Sequence, residues 1–194
     1  MGIMRTLYRE ARSILGFSPP AENDTQLAER VCAELKGEIG GKKQQHGEDW
    51  FLDTKFQGRD VKILFEAAAH RAIIQVSSSL EGGPLFLLVS GQSAQETPRG
   101  EERKAVTSGL FAQGKPNDVA VMMDLWKALP TGTRGNLTSL VNKHKGELRY
   151  EDGLVRLTPE TPTIDGPSAK YNVKSILQTM VTLTGEMEEA WSNL

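Results

Sequence analysis

The spacing of hydrophobic positions changes twice along the chain, and each change marks a change of element. Ile3, Met4, Leu7, Ala11, Ile14 and Leu15 recur at three- and four-residue intervals, with Arg5, Arg9 and Arg12 on another side. That spacing predicts a short amphipathic helix over residues 1–16. Arg5, Arg9 and Glu10 interrupt any apolar stretch, so the segment does not read as a secretory signal. Ser18-Pro19-Pro20 cannot continue a helix, because proline lacks the N–H and restricts the residue before it. Residues 17–23 therefore read as a linker, and 24–194 as a single α+β domain.

A second helix is expected to start at Asn23 or Asp24, with Gln26 completing a capping box behind Asn23. Leu27, Val31 and Leu35 share one face with Cys32 beside them; Gly37, Gly40 and Gly41 end the pattern, and Lys42 to Gly47 reads as a polar loop. The period then falls to two. Trp50, Leu52 and Phe56 point one way, Gln57-Gly58 supplies a turn, and Val61, Ile63 and Phe65 face the same way on the returning strand. Ala72, Ile74 and Val76 predict a third strand, and Pro84 to Val89 a fourth. Four strands with short connections predict an antiparallel meander.

From Ser90 to Ser108 the chain is polar and aperiodic, which reads as a long loop. Leu110 to Ala112 makes a short strand. Asn117 or Asp118 caps a helix carrying Val119, Met122, Leu125, Trp126 and Leu129, which Pro130 stops; another helix follows Gly135 with Leu137, Leu140 and Val141 inside. Glu147 to Thr158 alternates on either side of Asp152-Gly153, a pair suited to a tight hairpin turn. Asp165-Gly166-Pro167 opens a long last helix with an apolar stripe through Val173, Ile176, Leu177, Met180, Leu183, Met187 and Trp191. The fold class is α+β: an antiparallel β-meander plus a C-terminal hairpin, packed against helices that include a long C-terminal one. The expected core is Trp50, Leu52, Phe56, Val61, Ile63, Ile74 and Val76 under Ile176, Leu177, Met180 and Leu183 of the last helix.

Charge is balanced, with 23 Lys and Arg against 25 Asp and Glu in 194 residues. A nucleic-acid partner, which needs a basic excess or stripe, is therefore not expected. The single Cys32 leaves no disulfide within the chain and fits a reducing cytoplasm. Purely apolar runs reach five residues, as in Leu85–Val89, far from the roughly 20 that span a bilayer.

Reaction chemistry is thin. His46, His70 and His144 lie in separate segments without a zinc-ligand spacing, so neither a metal nor a cofactor is expected. His70 reads as part of a solvated turn, and His144, between two lysines at a helix end, suits the negative end of the helix dipole. Gly109 to Lys115 matches a phosphate-binding loop as far as the lysine, but Pro116 stands where Ser or Thr is needed and brings no N–H. Two glycines bracketing a short edge strand is the better reading. Cys32 lies on a buried helix face and reads as an inert thiol. Met1-Gly2 to Thr6 fits the permissive myristoylation pattern, although one acyl chain alone binds membranes only marginally.

The Gly109-Leu110-Phe111 segment before a helix, and the Gly146-to-Leu157 hairpin before a closing helix, resemble features of uncharacterised bacterial α+β domains. With the helix at 24–36 included, the order of elements is also similar to type III secretion chaperones and related regulators. The resemblance implies an α+β fold, a bacterial source and no catalytic motif to transfer, so no catalytic residue is assigned. The expected function is a non-enzymatic protein-binding, adaptor or chaperone-like regulatory module of the cytoplasm, binding another protein or a second copy of itself. The partner-binding residues are Ile3, Met4, Arg5, Leu7, Arg9, Arg12, Ile14 and Leu15, whose apolar face needs a cover because a helix this short is marginal alone in water. Two alternatives stand beside it: a small hydrolase-like enzyme built from dispersed polar residues, and a membrane-surface protein anchored through the N-terminal helix.

Overall fold

The computed structural model describes residues 23–79, 86–92, 96–151 and 153–194. The elements run α1 (Asp24–Ile39), β1 (Lys42–His46), β2 (Asp49–Phe56), β3 (Arg59–Glu66), β4 (Arg71–Ser77), β5 (Phe86–Ser90), β6 (Glu102–Thr107), β7 (Leu110–Gly114), α2 (Pro116–Ala128), α3 (Thr131–Lys143), β8 (Glu147–Glu151), β9 (Leu154–Thr158) and α4 (Ala169–Ser192). The strands form one antiparallel sheet in the order β1-β2-β3-β4-β9-β8-β5-β7-β6. The chain is thus α+β, with the long last helix expected from the sequence.

Alternation along each strand places one apolar residue per strand in a single row: Leu52, Ile63, Ile74, Leu157, Leu148, Leu88 and Ala112 stand opposite one another from β2 to β7. All seven are buried. The helices pack on this face. Helix α1 lies over β1, β2 and β3, while α2 and α3 lie over β5 and β7; α4 crosses β4 and β9 in the middle and touches the other three helices. Its buried stripe runs from Ala169 through Val173, Leu177, Met180 and Leu183 to Met187. Helix α1 begins as its sequence dictates: Gln26 N–H donates to Asn23 Oδ1 at 2.8 Å, and Asn23 N–H donates to Gln26 Oε1 at 3.1 Å.

Several expectations are corrected. The fourth strand, β5, does not extend the meander; it pairs with β7 and β8, and the β8–β9 hairpin is inserted between β4 and β5. The meander instead gains its fourth strand at the other end, where Lys42–His46 forms edge strand β1 rather than a loop. An edge strand carrying polar side chains is the form least prone to pair with another chain, which is why it looks like a loop in sequence. Gly41 makes this return: a Cβ there would lie 2.5 Å from the Asp53 carbonyl oxygen. The polar stretch after Ser90 holds a second edge strand, β6. Helix α2 begins at Pro116 with Lys115 as N-cap and no side-chain cap, rather than behind Asn117 or Asp118. Helix α3 starts at Thr131, with Gly132 and Gly135 inside it; burial of Thr133, Leu137, Leu140 and Val141 overrides their weak propensity. Trp50 and Phe56 are only half-buried, and Leu52 lies beneath α1 rather than the terminal helix.

Candidate functional site

The face of the sheet away from the helices carries the opposite parity. Phe51, Leu64 and Ile73 stand side by side on β2, β3 and β4, each half-buried. Two residues further along, a second row crosses from Lys42 through Asp53, Lys62, Gln75, Arg156 and Arg149 to Leu87. Like charges directly opposite one another destabilise a sheet, yet Arg149 and Arg156 are cross-strand partners. Their neighbours compensate: Glu147 and Glu151 lie 3.9 and 3.7 Å from the Arg149 guanidinium, and the Gln75 amide oxygen, suitably oriented, accepts from Arg156. The result is an apolar strip beside a satisfied polar one. At the far end this face is closed: Leu87, Val89 and Gln113 are buried, and Arg103 lies over the Phe111 ring at 4.6 Å. A hollow of about 210 Å³ remains there, lined by Glu96, Glu101, Lys115, Asp118 and Arg149 among others.

Three polar clasps hold the layers together. Glu38 on α1 receives Lys170 at 2.7 Å and Lys174 at 2.6 Å from α4, and their bonds hold its carboxyl down at about 2. Glu188 of α4 receives both arms of Arg59, the Ser78 hydroxyl at 2.9 Å and the Ser79 N–H at 2.6 Å. Burial opposes ionisation of Glu188, but those bonds outweigh it and hold the group at about 2. His70, at φ 50° in the turn between β3 and β4, bridges Asp24 at 2.9 Å through Nε2 and Asp165 at 2.7 Å through Nδ1. The bond to Asp24, and then that to Asp165, raise its pKa. His70 does lie in the partly exposed turn expected from sequence, and there it carries two carboxylate partners that the sequence did not announce. The two carboxylates sit on opposite ring nitrogens, so the three groups do not converge on one point. Among the described residues, no three His, Cys, Asp or Glu side chains are placed to hold one metal ion.

Cys32 is buried, as its helix position implies, and burial pushes its thiol up to about 11. That leaves little thiolate at neutral pH. The stretch from Gly109 to Lys115 forms strand β7 running into α2, with Pro116 at the first helical position. His46 is exposed on β1. His144 departs from its expected role: it is buried at the end of α3, and burial, then the Lys143 ammonium, push its pKa below the ordinary value. A group so disposed contributes little charge to the helix end. The eight expected partner-binding residues, Ile3 to Leu15, lie outside the described residues. The uncovered sheet face and the Arg59–Glu188 clasp were not foreseen. A period-2 pattern with charged residues opposite the apolar ones signals an exposed face, but it does not reveal which strands become neighbours. Among the described residues, no helix is long and apolar enough to cross a membrane.

No protein-family model matches the chain, and no curated protein matches its sequence. Among solved structures, the crystal structure of the mycobacterial trehalose monomycolate transport factor A, TtfA, is similar, with a TM-score of 0.59. The similarity covers 83% of this chain and 94% of that one, at 10% identity. At that identity the likeness is one of fold, and it gives no support to the type III secretion chaperone resemblance.

Proposed function

We propose that the chain is a non-enzymatic, adaptor-like module that binds another protein through its N-terminal segment and the uncovered sheet face. The observation that carries this reading is the Phe51–Leu64–Ile73 strip on a face that none of the described helices covers. Contiguous apolar surface on a soluble domain marks interaction sites, and the charged row beside it would set register and orientation. The described chain starts at the end of the sheet where β3 turns into β4. Asp24 is bonded to His70 in the turn that joins the two strands carrying Leu64 and Ile73. The apolar residues Ile3, Met4, Leu7, Ile14 and Leu15 belong to the segment that precedes this point in the chain, and Arg5, Arg9 and Arg12 would steer an acidic partner. A fold shared with a protein named a transport factor is compatible with an accessory role of this kind.

Deleting residues 1–16, and separately replacing Leu64 by Asp, tests the reading by association with captured partners. Both changes should weaken association and leave the thermal transition of the domain near its original midpoint. Association that survives both would remove the proposal. Co-sedimentation of the full chain, but not the deletion, with anionic vesicles would replace the protein partner by a membrane surface.

A further inference from the structure

Helices α3 and α4 leave a seam on their solvent side made of two adjoining hollows, of about 240 and 180 Å³. The hollows share Lys143, His144, Ser175 and Ile176. Helix α3 contributes Asn136, Ser139 and Lys143 from one of its faces, and α4 contributes Asn172 and Ser175. No carboxylate lines either hollow. His144 sits between them, 8% exposed, and among the described residues its ring has no hydrogen-bond partner and Lys143 has no ion pair.

His144 is buried as a residue, yet its ring nitrogens are not enclosed and open on the hollows, where an arriving ligand can meet them. The polar side chains around it carry donors: an ammonium, two amides and the hydroxyls of Ser139, Ser175, Thr161, Thr163 and Thr179, of which Thr161 and Thr179 already donate to backbone carbonyls. The carbonyls that end α3 are already taken. Leu140 O accepts from His144 N, Val141 O from Gly146 N and Asn142 O from Lys145 N. The negative end of the helix dipole is therefore largely satisfied where the hollows open. The other charged groups nearby are Lys145, and Glu160 in the crossing segment, whose N–H donates to the His144 carbonyl. We propose that the seam is a binding site for a small oxyanion, a phosphate or carboxylate group, held by His144 and Lys143 with the Ser139 and Ser175 hydroxyls and the two amides around it. Charge-assisted bonds to such an anion are the strongest these donors can make.

The test follows the imidazole resonances of His144 in the full chain, titrated with inorganic phosphate or with acetate at constant ionic strength. Saturable movement of those resonances, with a rise in the apparent pKa of His144 and none at His46, is the expected result. Lys143→Gln should weaken binding roughly tenfold, a loss of about 1.4 kcal/mol. Ser175→Asp should abolish it, with both variants keeping the thermal transition because these side chains are exposed. Response to phosphate alone or to acetate alone assigns the anion class. The site is overturned if neither anion gives a saturable change, if chloride gives the same change, or if folded Ser175→Asp binds as the parent does.

Discussion

Arg59 and Glu188, 129 residues apart in the chain, meet in a two-pronged ion pair, Nη1 to Oε1 at 2.8 Å and Nη2 to Oε2 at 2.6 Å. The pair ties the last turns of α4 to the start of β3, and the same carboxylate takes the Ser78 hydroxyl and the Ser79 N–H. Replacing Glu188 by Gln removes the charge facing Arg59, which keeps its bond to the Ser77 carbonyl at 3.0 Å, and leaves one acceptor oxygen where there were two. Glu188→Gln should therefore cost about 1–3 kcal/mol of stability in urea unfolding. Because the folded carboxyl is held at about 2, below its ordinary value, its contribution is present above the unfolded pKa and is lost as pH falls toward 2. The parent and variant unfolding curves should converge in acid; a constant gap down to that pH would contradict this.

His70 behaves with the opposite sign. Its folded pKa is raised by Asp24 and Asp165, so the clasp stabilises fully below about pH 6.5, the unfolded histidine value, and fades as pH rises through the folded value. His70→Gln should lower the unfolding midpoint at pH 5.5 and change it progressively less toward pH 9. A difference that grows with pH would reverse the assignment.

Leu177 on α4 is fully buried in the hydrophobic core. Leu177→Ala should cost about 2–5 kcal/mol, the range for a leucine removed from a close-packed core. At roughly 2–4 °C per kcal/mol for a domain of this size, the midpoint should fall by several degrees or more. An unchanged midpoint would remove α4 from the core.

Much of this fold is legible because it is local. Asn23 and Gln26 announce their own capping box, and the apolar stripe of α4 needs only its period to be seen. What could not be read locally is which strand lies beside which. The hairpin around Gly153 is evident in sequence, but its place between β4 and β5 depends on Ile74 meeting Leu157 and Leu88 meeting Leu148, contacts about 60–80 residues apart along the chain. Edge strands β1 and β6 are hidden for a different reason: they bury little, so they carry no alternation. His144 looked like a charged helix end because the segment that buries it, around Glu160 and Thr161, arrives from beyond the hairpin. The uncovered strip of Phe51, Leu64 and Ile73 was visible only as three residues of the wrong parity until their strands were placed in register.

The central claim, that this domain binds another protein through its N-terminal segment and its uncovered sheet face, is tested most directly by quantitative capture from a lysate of the source cells. Three baits are compared: the full chain, the chain lacking residues 1–16, and Leu64→Asp, each first confirmed as folded by its thermal transition. The account predicts a protein enriched by the full chain over bare resin and depleted severalfold with both altered baits. Equal recovery by all three baits, or no protein enriched above resin by the full chain, would contradict it.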